Sequence, residues 1–304
     1  GKHMVTASYI SKEMKALDKA AKEKGLVFMN EIGVDPGIDH MSAMQIIDQI
    51  KGIGGKMLLF ESFTGGLVAP ENDNNLWNYK FTWNPRNVVL AGQGGAAMFI
   101  QEGTYKYIPY HKLFRRTEFL NINGSGNYEA YANRDSLKYR SIYGLDGIPT
   151  MYRGTIRKVG FSRAWNIFVQ LGMTDDSYTI QNSESMSYRD FVNLFLAYSS
   201  SDSVELKLRS YLNIDQDDLM WAKLIELDLF NPTKKIKLKN ATPAQILQKI
   251  LEDSWTLEEK EKDMIVMQHL FGYEINGEKK QIESSLVVKG ENQNYTAMAK
   301  TVGL

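Results

Sequence analysis

Met4-Val5-Thr6-Ala7-Ser8-Tyr9-Ile10 is apolar and rich in strand-forming residues, and it starts the chain with almost no lead-in. Ser11 then reads as a helix N-cap, and Glu13 sits in the first turn, where a carboxylate suits the helix dipole. Met14, Leu17, Ala20 and Ala21 recur at helical spacing, and Gly25 closes that helix. Leu26-Val27-Phe28-Met29 is a second short strand. Strand, helix and strand within about thirty residues make a parallel βαβ unit with a right-handed crossover. One such unit cannot bury both faces of a parallel sheet. Residues 1–37 therefore read as the tail of a larger sheet that begins outside this sequence. The other reading is that they join the sheet of the domain that follows.

Working outward, Asn30-Glu31-Ile32-Gly33-Val34-Asp35-Pro36-Gly37-Ile38-Asp39-His40 holds a turn signal, because Pro fixes φ and Gly permits positive φ. Ile38, Met41, Met44 and Ile47 give an amphipathic helix that ends near Gly52. Residues 56–63 read as a strand, which Thr64-Gly65-Gly66-Leu67 breaks. Further strands fit residues 118–123 and 155–161, and helices fit 96–101 and 162–171. From 187 to 270 the pattern is almost wholly helical, with a capping box at Thr242-Pro243-Ala244-Gln245. Asn276-Gly277 suits a type I′ hairpin turn, with 282–288 as the return strand, and a helix starts near Tyr295 and runs toward Leu304.

Composition narrows the function. With 304 residues, of which 43% are hydrophobic, the chain can bury a substantial core. Lys plus Arg and Asp plus Glu are each 36, and this balance gives no support for nucleic acid as a partner or for binding to a membrane surface. No apolar run reaches the roughly 18 residues of a transmembrane helix. The absence of cysteine removes disulfides, thiolate metal sites and a thiol nucleophile, and fits a reducing compartment such as the cytoplasm. His3, His40, His111 and His269 are too scattered for a local metal motif, so no metal is expected.

Several stretches carry candidate chemistry. Gly92-Gln93-Gly94-Gly95-Ala96-Ala97 matches a dinucleotide loop in letters, but it lies mid-chain without the βαβ context and reads as a Gly-rich helix entry. Ser8-Tyr9 and Asp35-Pro36-Gly37 stand at the carboxyl ends of two adjacent parallel strands, where ligands bind in open α/β sheets. A hydroxyl, a phenol and a carboxylate there suit acid/base work, although capping and turn chemistry explain the same residue types. Gly65-Gly66 would let backbone amides approach a ligand, or form a simple turn. Arg134 and the Arg153–Arg157 segment are candidate carboxylate partners, or ordinary surface arginines.

These same segments resemble the saccharopine dehydrogenases of the L-glutamate-forming type. The resemblance rests on Lys2 to Tyr9, on Asn30 to His40, and on Phe63-Thr64-Gly65-Gly66-Leu67-Val68-Ala69-Pro70-Glu71. Tyr79-Lys80-Phe81-Thr82-Trp83-Asn84-Pro85, Asn133-Arg134-Asp135-Ser136, the Arg153–Arg157 segment and Ala297 to Leu304 extend it. It spans the chain and is thinnest in the helical region. It implies an α/β fold: the remnant of a Rossmann sheet, then an α+β saccharopine-binding and dimerisation domain with an inserted all-α subdomain. The division expected is 1–37, then 38–175 with 270–304, and 176–269 for the helical part. The family's dinucleotide loop lies at its N-terminus and is absent here. This chain is therefore expected to be the substrate-binding portion and to be inactive alone.

The implied reaction joins glutamate and aminoadipate semialdehyde through an imine, or cleaves saccharopine oxidatively, with NADP or NAD as cofactor and a homodimer as the assembly. Carried over by position, Ser8 and Tyr9 contact saccharopine, and Tyr9 and Asp35 are the catalytic candidates. Gly65, Gly66, Arg134, Thr155, Ile156 and Arg157 are expected to bind substrate, and Val34, Asp35, Pro36 and Asn84 to meet the cofactor. There are departures from the family pattern. Thr64 stands where a Cys is common, so an acid/base thiol is impossible, Asn84 stands for a usual Ser, and Val68 for a usual Pro. A carboxylated polyamine imine is the alternative substrate, and a non-catalytic binding module the alternative role.

Overall fold

A computed structural model describes residues 1–303; Leu304 lies outside the described residues, with the last position of the expected C-terminal helix. The opening βαβ unit forms as read. Strands β1 (Met4–Val5) and β2 (Phe28–Met29) pair in parallel, with helices α1 (Lys12–Ala16) and α2 (Asp18–Glu23) between them. Ser11 caps α1 through the Met14 N–H.

Helix α3 (Ile38–Gly52) leads to the long strand β3 (Lys56–Val68), and a short helix α4 (Pro85–Val89) follows. Strands β4 (Ala97–Gln101) and β5 (Thr104–Ile108), helix α5 (Tyr110–Leu113), and strands β6 (Thr117–Ile122) and β7 (Gly126–Ala132) come next. Helix α6 (Tyr139–Ile142), strand β8 (Thr150–Arg157) and helix α7 (Phe161–Leu171) close the first half. The second half holds α8 (Tyr188–Asn193), α9 (Val204–Leu212), α10 (Leu219–Glu226) and α11 (Pro243–Trp255). The hairpin of β9 (Asp263–Ile275) and β10 (Glu278–Lys289) and helix α12 (Ala297–Gly303) end the chain.

One mixed sheet runs β10-β9-β3-β8-β4-β5, with β7 also on β8 and β6 on β7. Only β3 and β8 are parallel in it. β8 divides the sheet: Met151 pairs with β4, whereas Gly154 to Arg157 pair with β7. Residues Asn133 to Ser136 fill the fork, tied by Met98 N–H to the Arg134 carbonyl at 2.9 Å and Ser136 N–H to the Met98 carbonyl at 2.8 Å. One core packs α3 and α6 on the sheet through Ile47, Phe60, Tyr139 and Phe271. A larger core runs from Phe63, Phe99 and Ile156 into the helical half through Trp77, Trp165, Phe168 and Trp255.

Four expectations are corrected. Gly65-Gly66 do not break β3, which continues to Val68. The glycine is needed for close approach instead, because a Cβ on Gly65 would lie 2.5 Å from the Ile156 carbonyl oxygen of β8. Residues 97–101 are strand, not helix, joined to β5 by a two-residue turn at Glu102-Gly103. The strand expected at 155–161 is β8, displaced to Thr150–Arg157, and Phe161 already begins α7. The helical stretch ends at Trp255, and residues 263–270 belong to a central strand. Met264 to Met267 are buried on both faces, and a continuous apolar run has no period that separates strand from helix. The β9–β10 turn at Asn276-Gly277 has the positive φ values, 54° and 79°, that its letters called for.

Candidate functional site

The parallel register of β1 and β2 sets the two strand ends side by side, and a cavity of about 470 Å³ opens there. Ser8, Tyr9, Val34, Asp35, Pro36, Gly65, Gly66, Arg134, Thr155 and Arg157 line it. So five separate stretches that carried candidate chemistry converge on one space. Ile156 and Asn84 do not line it. Side chains alternate along β8, so Ile156 points opposite to Thr155 and Arg157 and is fully buried in the core. Asn84 caps α4, its Oδ1 accepting the Arg86 N–H at 3.0 Å.

The ionisable centre is Tyr9 and Asp35. The Tyr9 hydroxyl donates to Asp35 Oδ1 at 3.0 Å, and Asn133 Nδ2 donates to Oδ2 at 3.3 Å. Burial, with the Asp35 charge beside it, holds the Tyr9 phenol well above its ordinary pKa. It is therefore a proton donor at neutral pH, hydrogen-bonded to a carboxylate. The Asp35-Pro36 peptide is cis.

The Arg153–Arg157 segment stood as a candidate carboxylate partner, but the acids that Arg153 holds behind that pair were not legible in the sequence. Arg153, 2% exposed, donates through Nη2 to both Asp35 Oδ1 and Asp39 Oδ2, the latter at 2.7 Å. Burial works against its charge, but Asp35, Tyr9 and Asp39 raise its pKa well above the usual value. Asp39 is raised by burial and by Asp35, and its Oδ1 also accepts the Gly37 N–H at 2.7 Å. A further layer holds His40 between Glu31, at 3.0 Å, and the Tyr143 hydroxyl. Burial opposes the Glu31 charge, yet hydrogen bonds from His40 and the Ile10 N–H hold its pKa down at about 2.

Cations rim the cavity. Arg134 has φ of 51°, rare for a residue with a Cβ, and its guanidinium lies 5.3 Å from the Tyr9 ring centre. Lys138 Nζ sits 4.6 Å from the same ring. Arg157 is 4% exposed and rests on the rings of Tyr79, Phe161 and Tyr131, 5.1 to 5.7 Å away. Its Nη1 donates to the Ile156 carbonyl at 2.8 Å and its Nη2 to the Tyr131 hydroxyl at 3.4 Å. It makes no salt bridge among the described residues, and its Nε–H has no acceptor. A buried guanidinium that faces a cavity and has no salt bridge among the described residues suits an anionic ligand. No group of three or more His, Asp or Glu side chains among the described residues could hold a metal, and no helix is long and apolar enough to cross a membrane.

Fold and cavity together define a mixed α/β chain with a strand-end pocket that holds a Tyr–carboxylate pair and two arginines. Residues 33–304 match the family described as saccharopine dehydrogenase C-terminal domain, and the chain belongs to that family. It is 33% identical over 312 residues to saccharopine dehydrogenase [NADP(+), L-glutamate-forming] of Pyricularia oryzae, covering all of this chain and 69% of that one. It is also 33% identical over 307 residues to the mitochondrial alpha-aminoadipic semialdehyde synthase of Rattus norvegicus, covering 99% of this chain and 33% of that one. The structure of apo saccharopine dehydrogenase (L-Glu forming) from Saccharomyces cerevisiae superposes with a TM-score of 0.84 at 32% identity, over 98% of this chain and 68% of that one.

Proposed function

We propose that this chain is the substrate-binding portion of an NAD(P)-dependent saccharopine dehydrogenase of lysine metabolism. The observation that carries the reading is the cavity itself, in which a Tyr–carboxylate pair and two arginines without a salt bridge among the described residues share about 470 Å³. Saccharopine is a secondary amine with three carboxylates. Arg157, from the floor, would take one carboxylate, with Thr155 beside it, and Arg134, at the rim, would take another. The Gly65-Gly66 backbone would lie along the ligand, and Ser8 would hold its polar edge. Tyr9 and Asp35 would move the proton at the substrate nitrogen, and Arg153 would hold Asp35 in place.

A nicotinamide fits the wall made by Val34, Asp35 and Pro36, and when bound it supplies or takes up the hydride. In support, two buried hydroxyls near Gly66, Thr64 Oγ1 and Thr82 Oγ1, have no hydrogen-bond partner, and a carboxamide brings both donors and an acceptor. The relatives' names carry NADP(+), and the choice between NADP and NAD is left to the dinucleotide-binding part. The same reading takes 1–37 as late Rossmann elements, and the helical subdomain, expected at 176–269, is shortened to 176–262 because β9 begins at Asp263. The remainder, resuming at β9, is then the α+β domain that forms a homodimer. A cytoplasmic setting goes with it.

Calorimetric titration of the chain with saccharopine tests the proposal, with glutamate as control and Arg134→Ala beside the wild type. Saturable binding that is weaker for glutamate and weaker in the variant is expected. Equal binding by the variant, or tighter binding of glutamate, would overturn it.

A further inference from the structure

On the face of the sheet that carries Phe63 and Tyr152, away from the large cleft, lies a second cavity of about 160 Å³. The strand register builds it. Glu61 of β3 is paired with Tyr152 of β8 on one side and with Leu270 of β9 on the other. Side chains at such paired positions stand next to each other on one face. Phe63, two residues along β3, and Phe99 of β4 wall the space, with ring centres 5.6 and 4.9 Å from that of Tyr152. Glu118 of β6 contributes a second carboxylate.

Three polar groups there are unpaired among the described residues, whereas the Thr150 hydroxyl accepts the Glu102 N–H at 3.0 Å. Tyr152 is 5% exposed, and its hydroxyl makes no hydrogen bond among the described residues. The carboxylates of Glu61 and Glu118 likewise have neither a hydrogen bond nor a salt bridge among the described residues. Burial, then the Glu118 charge, push the Glu61 carboxyl above its ordinary range. The nearest positive group, Arg116, is exposed and lies 5.2 Å over the Phe99 ring, so the aromatic wall already attracts a cation. Arg116 offsets one of the two carboxylates, which leaves the space net negative.

We propose that this cavity is a binding site for a short primary alkylammonium ion. An ammonium has three N–H donors, and the site offers three acceptors in Glu61, Glu118 and the Tyr152 oxygen. The aromatic rings take the alkyl stem and the cationic face. Two carboxylates set among aromatic walls supply too few oxygens for a hard metal ion, which takes six or more. The site stands apart from the strand-end cleft and does not depend on the function proposed for it.

The test is a titration of the full chain with n-butylammonium chloride, followed by calorimetry and by the tyrosine ring NMR signals. n-Butanol, magnesium chloride and calcium chloride are the controls. Saturable binding of butylammonium is expected, with a shift at Tyr152. Glu61→Gln should weaken it about tenfold, the scale of one charge-assisted hydrogen bond. Glu118→Gln, at a more open position, and Tyr152→Phe should each weaken it several-fold. Thermal melting would confirm that each variant folds, and Glu118→Gln keeps the test sound if Glu61→Gln does not. No saturable binding, equal response to n-butanol, preference for a divalent metal, or indifference to both Gln substitutions would overturn the proposal. So would a dimer, seen by sedimentation, that Glu61→Gln dissociates, since a second copy would then fill the space.

Discussion

Arg153 and Arg157 sit four residues apart on the same face of β8, and both are almost wholly buried, yet they lead opposite electrostatic lives. Arg153 is committed. It is clamped between Asp35 and Asp39, and its N–H donors hold a carboxylate in place for Tyr9. Arg157 is uncommitted. It lies on aromatic rings and, among the described residues, has an orphaned Nε–H and no salt bridge. One strand thus supplies a positioning cation and a cation held ready for a ligand. Burial alone does not tell the two apart; the partners do.

The largest effect should come from breaking the committed side. Arg153→Met would leave Asp35 and Asp39 buried with no cation and should cost on the order of 3–5 kcal/mol in urea unfolding. Arg157→Gln removes a charge that has no acid to lose, so its stability should change by less than about 1.5 kcal/mol. If the two substitutions destabilise equally, the contrast between them fails.

Acid should expose the same side next. Burial holds His269 neutral, with its pKa lowered to about 4, and its ring accepts or donates one bond with Ser42 Oγ at 2.8 Å. The unfolded chain protonates this histidine near pH 6.5 and the folded chain only near 4, so the unfolded state binds more protons in between. Stability should therefore fall as pH drops from about 6.5 to 4, by on the order of 3 kcal/mol from this group. His269→Gln should flatten that part of the pH–stability curve; an unchanged slope would place its source elsewhere.

The smallest effect concerns a residue that the resemblance assigned to the cofactor. Asn84→Ala removes the cap of α4 and should cost about 1 kcal/mol by thermal melting. Saccharopine titration should be unaltered, because Asn84 lies off the cavity wall.

Much of this was legible in the sequence because strand ends are legible. A period-two run, a cap and a turn placed Ser8, Tyr9 and Asp35 together before any contact was known. Arg134 and the Arg153–Arg157 segment stood out as carboxylate partners, and the family resemblance gave Arg134 and Arg157 to the substrate but brought Ile156 along, although a neighbour in a strand must face the other way. The partners of Arg153 were hidden because its two acids are more than a hundred residues away in sequence. Likewise Met264 to Met267 carry no period, and the role of Gly65 is a clearance of 2.5 Å to another strand, which letters do not record.

The contrast between the two arginines is tested most directly by the side-chain Nε–Hε NMR signals of the chain, assigned through Arg153→Lys and Arg157→Gln, while saccharopine is added. A large, saturable shift of the Arg157 signal, with that of Arg153 nearly still, is the predicted result. Movement of Arg153 alone, or an Arg157 signal indifferent to a ligand that binds, would contradict the account.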